Sequence, residues 1–216
     1  MNDCKIYIKQ IDSIYKLKEY YNIIVVDNKT LFRDLVLNYE DELIISNSNE
    51  ILQYNKKVIT IHNHFDINLN ETKITKELYK RIEKMIKTKY EKEYYELTSL
   101  SFNLLDLLVF DFDNEFEYDT NMDMNKLLSS FNIKFNEIES KNYLQLLKKY
   151  LNIIVELFGI QAVITYNLSN FLLEEEIKVL NQDLINNGIY IIDIVYNSFV
   201  PKECQLLEIN EDFCII

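Results

Sequence analysis

The sequence predicts an α/β protein carrying an inserted helical region. Apolar strand runs alternate with helical spacing at both ends of the chain. Several of those runs are continuously apolar, as in strands buried on both faces, which implies a mostly parallel sheet with right-handed crossovers. The middle, from Glu71 to about Phe158, has long helical periodicity and almost no strand signal.

Each element follows from its own residues. Lys5–Lys9 (KIYIK) alternates, Asn22–Val26 (NIIVV) is a buried strand, and Leu31–Tyr39 has helical spacing through Leu31, Leu35 and Val36. Glu42–Ser46 and Lys57–His62 read as further strands. Helices are expected at 71–97, 100–109, 123–131 and 138–158, the last capped by Gly159. Gln161–Tyr166 (QAVITY) is a strand, Leu172–Asn186 a helix stopped by Gly188, and Ile189–Val195 (IYIIDIV) a strand. Short strands are expected near Leu206–Ile209 and Phe213–Ile215. The expected domains are a discontinuous α/β head, 1–68 and 159–216, and a helical leg, 69–158.

With 216 residues, 48% of them hydrophobic, the chain can bury a proper core. No apolar run approaches the ~18–20 residues needed to span a membrane. The N-terminus MNDCKIYIKQ lacks an apolar signal core, so a cytoplasmic protein without membrane partners is expected. Cys4, Cys204 and Cys214 are odd in number without C-x-x-C spacing, which suits reduced thiols better than disulfides or zinc.

The charge pattern is the strongest functional signal. The chain carries a net charge of −12, yet the segment Glu71–Glu93 holds eight Lys/Arg against five Glu. At 100° per residue, Lys73, Lys76, Lys80, Lys84 and Lys87 fall within about 80° of one another. Ile74, Leu78, Ile82, Met85 and Ile86 cluster on roughly the opposite side. A solvated face with i,i+4 pairs such as Glu77–Arg81 and Glu83–Lys87 accounts for part of this. It does not account for the shared face, which suits phosphate contact.

Other motifs are weaker. Lys29-Thr30 stands after a strand, where a phosphate-binding loop would end in Lys-Ser/Thr. With only Gly159, Gly188 and Pro201 in the whole chain, no glycine loop can form there. The segment reads instead as a strand-to-helix turn with Asp27 or Asn28 as N-cap. His62 and His64 alternate at a strand end without a carboxylate trio, so metal ligation is disfavoured against a strand leaving the sheet with both rings partly exposed. Asp111, Asp113, Glu115, Glu117, Asp119 and Asp123 crowd one stretch, with Glu137 and Glu139 following. Such oxygen density suits Ca²⁺, although the spacing is not that of an EF-hand, and a solvated acidic loop also explains it. No nucleophile constellation is present.

Taken together, these stretches resemble a known family. Leu31-Phe32-Arg33-Asp34-Leu35-Val36, the lysine-rich Lys73–Lys84, and Leu157-Phe158-Gly159-Ile160 followed by Tyr166-Asn167-Leu168 occur in matching order. Phe171–Glu176 and the ending Ile209–Cys214 complete the match. The chain resembles the small CRISPR-associated spacer-acquisition proteins of type II-A systems, the Csn-two family. The resemblance implies a P-loop-NTPase-like α/β head without a functional nucleotide loop, plus a helical leg. It implies a homotetrameric ring whose lysine-lined hole holds double-stranded DNA entered from free ends. Structural Ca²⁺ is implied, with the other CRISPR adaptation proteins and the effector nuclease as partners. The chain departs from the family at Leu173, where Ser or Thr usually caps a helix, and at His64, near which an acidic residue is usual.

The expected function is therefore a non-enzymatic, sequence-independent DNA-end-binding ring in spacer acquisition. The expected DNA contacts are Lys73, Lys76, Lys80, Arg81, Lys84 and Lys87, and the expected metal ligands are Glu117, Asp119, Asp123, Glu137 and Glu139. The rivals are a metal-dependent nuclease using the Asp111–Asp123 carboxylates, and a protein-interaction scaffold with no DNA role.

Overall fold

The computed structural model describes residues 4–17, 19–113, 115–136, 138, 143–197 and 205–215. The chain opens with β1 (Lys5–Ile8), β2 (Ser13–Lys16), β3 (Tyr21–Val26), α1 (Lys29–Leu37), the single turn α2 (Tyr39–Glu42), β4 (Leu43–Ser46) and β5 (Val58–Ile61). The helices α3 (Thr72–Lys89), α4 (Glu91–Asp111) and α5 (Met124–Ser130) follow. The remainder is α6 (Tyr143–Phe158), β6 (Ala162–Tyr166), a 3₁₀ turn at Leu168–Phe171, α7 (Glu174–Asn187), β7 (Tyr190–Tyr196) and β8 (Gln205–Ile209). Two compact units result: Met1–Asn68 with Ile138–Ile216, and Leu69–Glu137.

The first unit is built on a five-stranded sheet ordered β5-β6-β7-β3-β8, parallel at every described pairing. A parallel sheet is covered on both faces, so its strands have no solvent side and read as unbroken apolar runs. The pleat divides each strand between two cores. Ile24 and Val26 of β3 face one, and Tyr21, Ile23 and Val25 face the other. The first core is closed by α1, through Leu31 and Leu35, and by an antiparallel sheet, β2-β1-β4, through Ile6, Ile8, Leu43 and Ile45. The second is closed by α6, through Leu147, Leu151 and Ile154, and by α7, through Ile177, Leu180 and Leu184. Each such aliphatic side chain contributes about 1.5–3 kcal/mol by leaving water.

Some expectations are corrected. The helix expected at 138–158 in the leg is α6, which belongs to the first unit because its apolar stripe completes the second core. The helix expected at 71–97 is interrupted at Tyr90, whose φ of −122° and ψ of 32° bend the chain between α3 and α4. The strand β2 was not expected; its half-exposed SIYK is a sheet edge with little apolar contrast. Phe213–Ile215 forms only a single bridge, Ile209 to Ile215. Gly188 caps α7 at φ 65° with its N–H on the carbonyls of Leu184 and Ile185, as the sequence predicts.

Cys4 is buried and free, its thiol pushed up to about 12 by desolvation, which makes it inert. Cys214 is free and exposed, and Cys204 lies outside the described residues. No helix among the described residues is long and apolar enough to cross a membrane.

Candidate nucleic-acid interface

The lysine stripe lies on α3. From Thr72 to Lys89 the helix carries seven Lys/Arg and two Glu, so its local charge opposes that of the chain. Lys73, Lys76, Lys80, Arg81, Lys84 and Lys87 are all exposed. The opposite side holds the buried Ile74 and the half-buried Leu78, Ile82 and Ile86. Amphipathicity thus fixes which way the cations point: the apolar side is covered, and the lysines face solvent.

Lys80 and Lys87 have carboxylate partners on the same helix. Lys80 Nζ lies 2.9 Å from Glu77 Oε2, and Lys87 Nζ lies 2.6 Å from Glu83 Oε1. The hydrogen bond to Glu83 raises the Lys87 pKa further above its ordinary value. Lys76 and Lys84 make no ion pair with any described residue and carry their charge unopposed. Lys87 and Lys89 fall in the last turn, where the helix dipole favours cations.

The bend at Tyr90 leads into α4. Ladder hydrogen bonds continue through it, from Tyr90 N–H to Ile86 and from Tyr94 N–H to Tyr90. Met124, Leu127, Leu128 and Phe131, on and just after α5, meet Ile86, Tyr94 and Leu97 around an apolar cavity of about 250 Å³. Helix α4 has no buried residue over its 21 positions. Leu97, Leu100, Leu104, Leu107 and Leu108 fall within about 100° of one another on it, and their exposures of 44, 69, 59, 64 and 38% leave an uncovered leucine stripe. The i, i+3, i+7 spacing of this stripe is legible in the sequence, but an apolar stripe alone does not show that it is left uncovered.

Of the expected metal ligands, Glu117, Asp119 and Asp123 lie among the described residues. Asp119 Oδ1 accepts the N–H of Asn121 in a local turn. Asp123 caps α5, its Oδ1 accepting the N–H groups of Asn125 and Lys126 at 2.9 and 3.2 Å. Glu117 is exposed, and no three His, Cys, Asp or Glu among the described residues are close enough to hold an ion. Glu137 and Glu139 lie outside the described residues.

In the first unit, the turn from β3 to α1 has none of the geometry of a phosphate loop. Asn28 caps α1 by accepting the N–H of Leu31 at 2.9 Å, and neither Asp27 nor Asn28 has a positive φ. His62 and His64 diverge. His62 is exposed and stacks on Tyr166 with ring centroids 5.3 Å apart, whereas His64 is 4% exposed with Nδ1 2.9 Å from the Tyr143 hydroxyl. The expectation that both rings are partly exposed therefore fails at His64.

No known protein family matches the chain, and no curated protein is significantly similar to it.

Proposed function

We propose that this chain is a non-enzymatic, sequence-independent double-stranded DNA-binding protein of CRISPR adaptation, related to the type II-A spacer-acquisition (Csn-two) family. The observation that carries the reading is α3: five exposed lysines on one side of a helix, flanked by Arg81, in a chain of net charge −12. Phosphate contacts of this kind carry no base information, so binding is independent of sequence and weakens steeply with salt. The acidic remainder repels DNA and confines it to the stripe.

The ring belongs to the same reading. The leucine stripe on α4 supports self-association, because five exposed leucines on one helix side are costly to leave in water. Copies joined in a homotetramer would repeat a stripe that is too short alone to grip a duplex. The parallel sheet of the first unit and its glycine-free β3–α1 turn suit a P-loop-like head that binds no nucleotide. The reading includes action in the cytoplasm, with the other adaptation proteins and the effector nuclease as partners.

A ring that threads DNA from its ends retains linear duplex and not closed circular duplex of the same sequence at matched salt. Equal retention of the two forms would overturn the threading. A nuclease would instead cleave the duplex with Mg²⁺ or Mn²⁺ and lose that cleavage on Asp119→Ala.

A further inference from the structure

The second unit presents another cation beside the stripe. Helix α5 ends at Ser130, and Asn132 takes a left-handed conformation (φ 49°) that reverses the chain. The Asn70 side chain accepts the Phe135 N–H at 2.7 Å and donates to the Phe135 carbonyl at 3.0 Å. The Tyr79 hydroxyl donates to the Ile133 carbonyl at 3.3 Å. Lys134 therefore sits between two residues that are tied, one to Tyr79 within α3 and the other to Asn70 just before it. Ile133 and Phe135 are half-buried and Lys134 is exposed, the alternation expected of an extended segment with one side covered.

This arrangement borders an open surface pocket of about 330 Å³ whose lining includes Lys76, Lys134, Thr72 and Thr75. Among the described residues its lining has no carboxylate, in a chain with 35 acidic and 23 basic residues. Lys76 and Lys134 line the pocket from separate segments, together with Thr72 and Thr75, and Thr75 Oγ1 donates to the Asn70 carbonyl at 3.3 Å. We propose that the pocket is a phosphodiester-binding niche in which Lys134 and Lys76 hold one backbone phosphate of the duplex. The niche rests on the DNA reading above and extends it to a cation outside α3. Because the backbone on both sides of Lys134 is tied down, less ordering entropy is lost on contact than for a loop lysine.

The test compares Lys134→Gln, Lys76→Gln and Lys92→Gln, each of which removes one positive charge. Lys92 is the control: it is an exposed α4 lysine outside the pocket, paired with Glu96 at 3.7 Å. Affinity for a short linear duplex is measured from about 50 to 200 mM salt, with circular dichroism to check folding. Lys134→Gln and Lys76→Gln each reduce the slope of log K against log salt by up to about 0.9, with no further reduction when combined because they share one phosphate, whereas Lys92→Gln leaves it unchanged. If Lys134→Gln behaves like Lys92→Gln while Lys76→Gln weakens binding, the niche is refuted and the stripe stands. If the unmodified protein fails to retain the duplex at the lowest salt, both fall.

Discussion

Asp193, in the middle of β7, accepts the backbone N–H of Ser169 at 2.7 Å and so ties the turn after β6 to the neighbouring strand. Its carboxylate is fully buried and also accepts the Leu168 N–H at 3.0 Å and the Thr165 hydroxyl at 2.9 Å. A buried charge is tolerated there because several donors converge on it. Asp193→Ala leaves those donors unpaired in the core and costs about 3 kcal/mol or more. Urea unfolding measures this, and a loss below about 1 kcal/mol would contradict the assignment.

His64 makes stability depend on pH. Burial holds its ring below the ordinary imidazole pKa, partly opposed by the negative charge of Asp193. The unfolded ring titrates near ~6.5. Above that value both states are neutral and the contribution is complete. As pH falls below it, the unfolded chain takes up the proton first, and stability is lost until the folded ring also protonates. Unfolding midpoints at pH 7.5 and 5.5 should fall further for the native chain than for His64→Gln. Equal falls would show that His64 is not the group responsible.

Leu173 starts α7 without a side-chain cap. Glu176 supplies one part of a capping box by accepting the Leu173 N–H at 2.9 Å. The leucine side chain, 69% exposed, has little packing to lose. Leu173→Ser supplies the missing acceptor and should stabilise the protein by about 0.5–1 kcal/mol, read from chemical unfolding. A destabilised variant would mean that the leucine packs usefully where it stands.

The leucine stripe makes a prediction about assembly. Sedimentation of the native chain should report an oligomer that dissociates on dilution. Leu100→Glu combined with Leu104→Glu should give a monomer with unchanged helix content. A native chain that stays monomeric at high concentration, or a double variant that still assembles, would remove α4 from the interface.

Much of the fold is legible in the sequence because buried parallel strands and amphipathic helices leave strong local patterns. NIIVV, QAVITY and IYIIDIV each mark a strand of the central sheet. The affiliation of α6 is not legible in this way, since an apolar stripe shows that a helix is covered but not by which unit. The bend at Tyr90 has no proline or glycine to announce it. In the candidate interface, the α3 cations are legible because helical spacing alone puts them on one side. Lys134 is not, because its position depends on hydrogen bonds from Asn70 and Tyr79, 64 and 55 residues earlier in the chain. In the acidic stretch the density of carboxylates is legible, but the local roles of Asp119 in a turn and Asp123 in a helix cap are not, because they depend on backbone conformation.

The most direct test of the central claim is the salt dependence of linear-duplex binding for the native chain and for Lys76→Glu/Lys80→Glu/Lys84→Glu. The native chain should show a steep negative slope, since each neutralised phosphate contributes about −0.9. The triple variant should lose retention with its fold intact. A folded triple variant that binds with the same affinity and slope would contradict the assignment of DNA to α3.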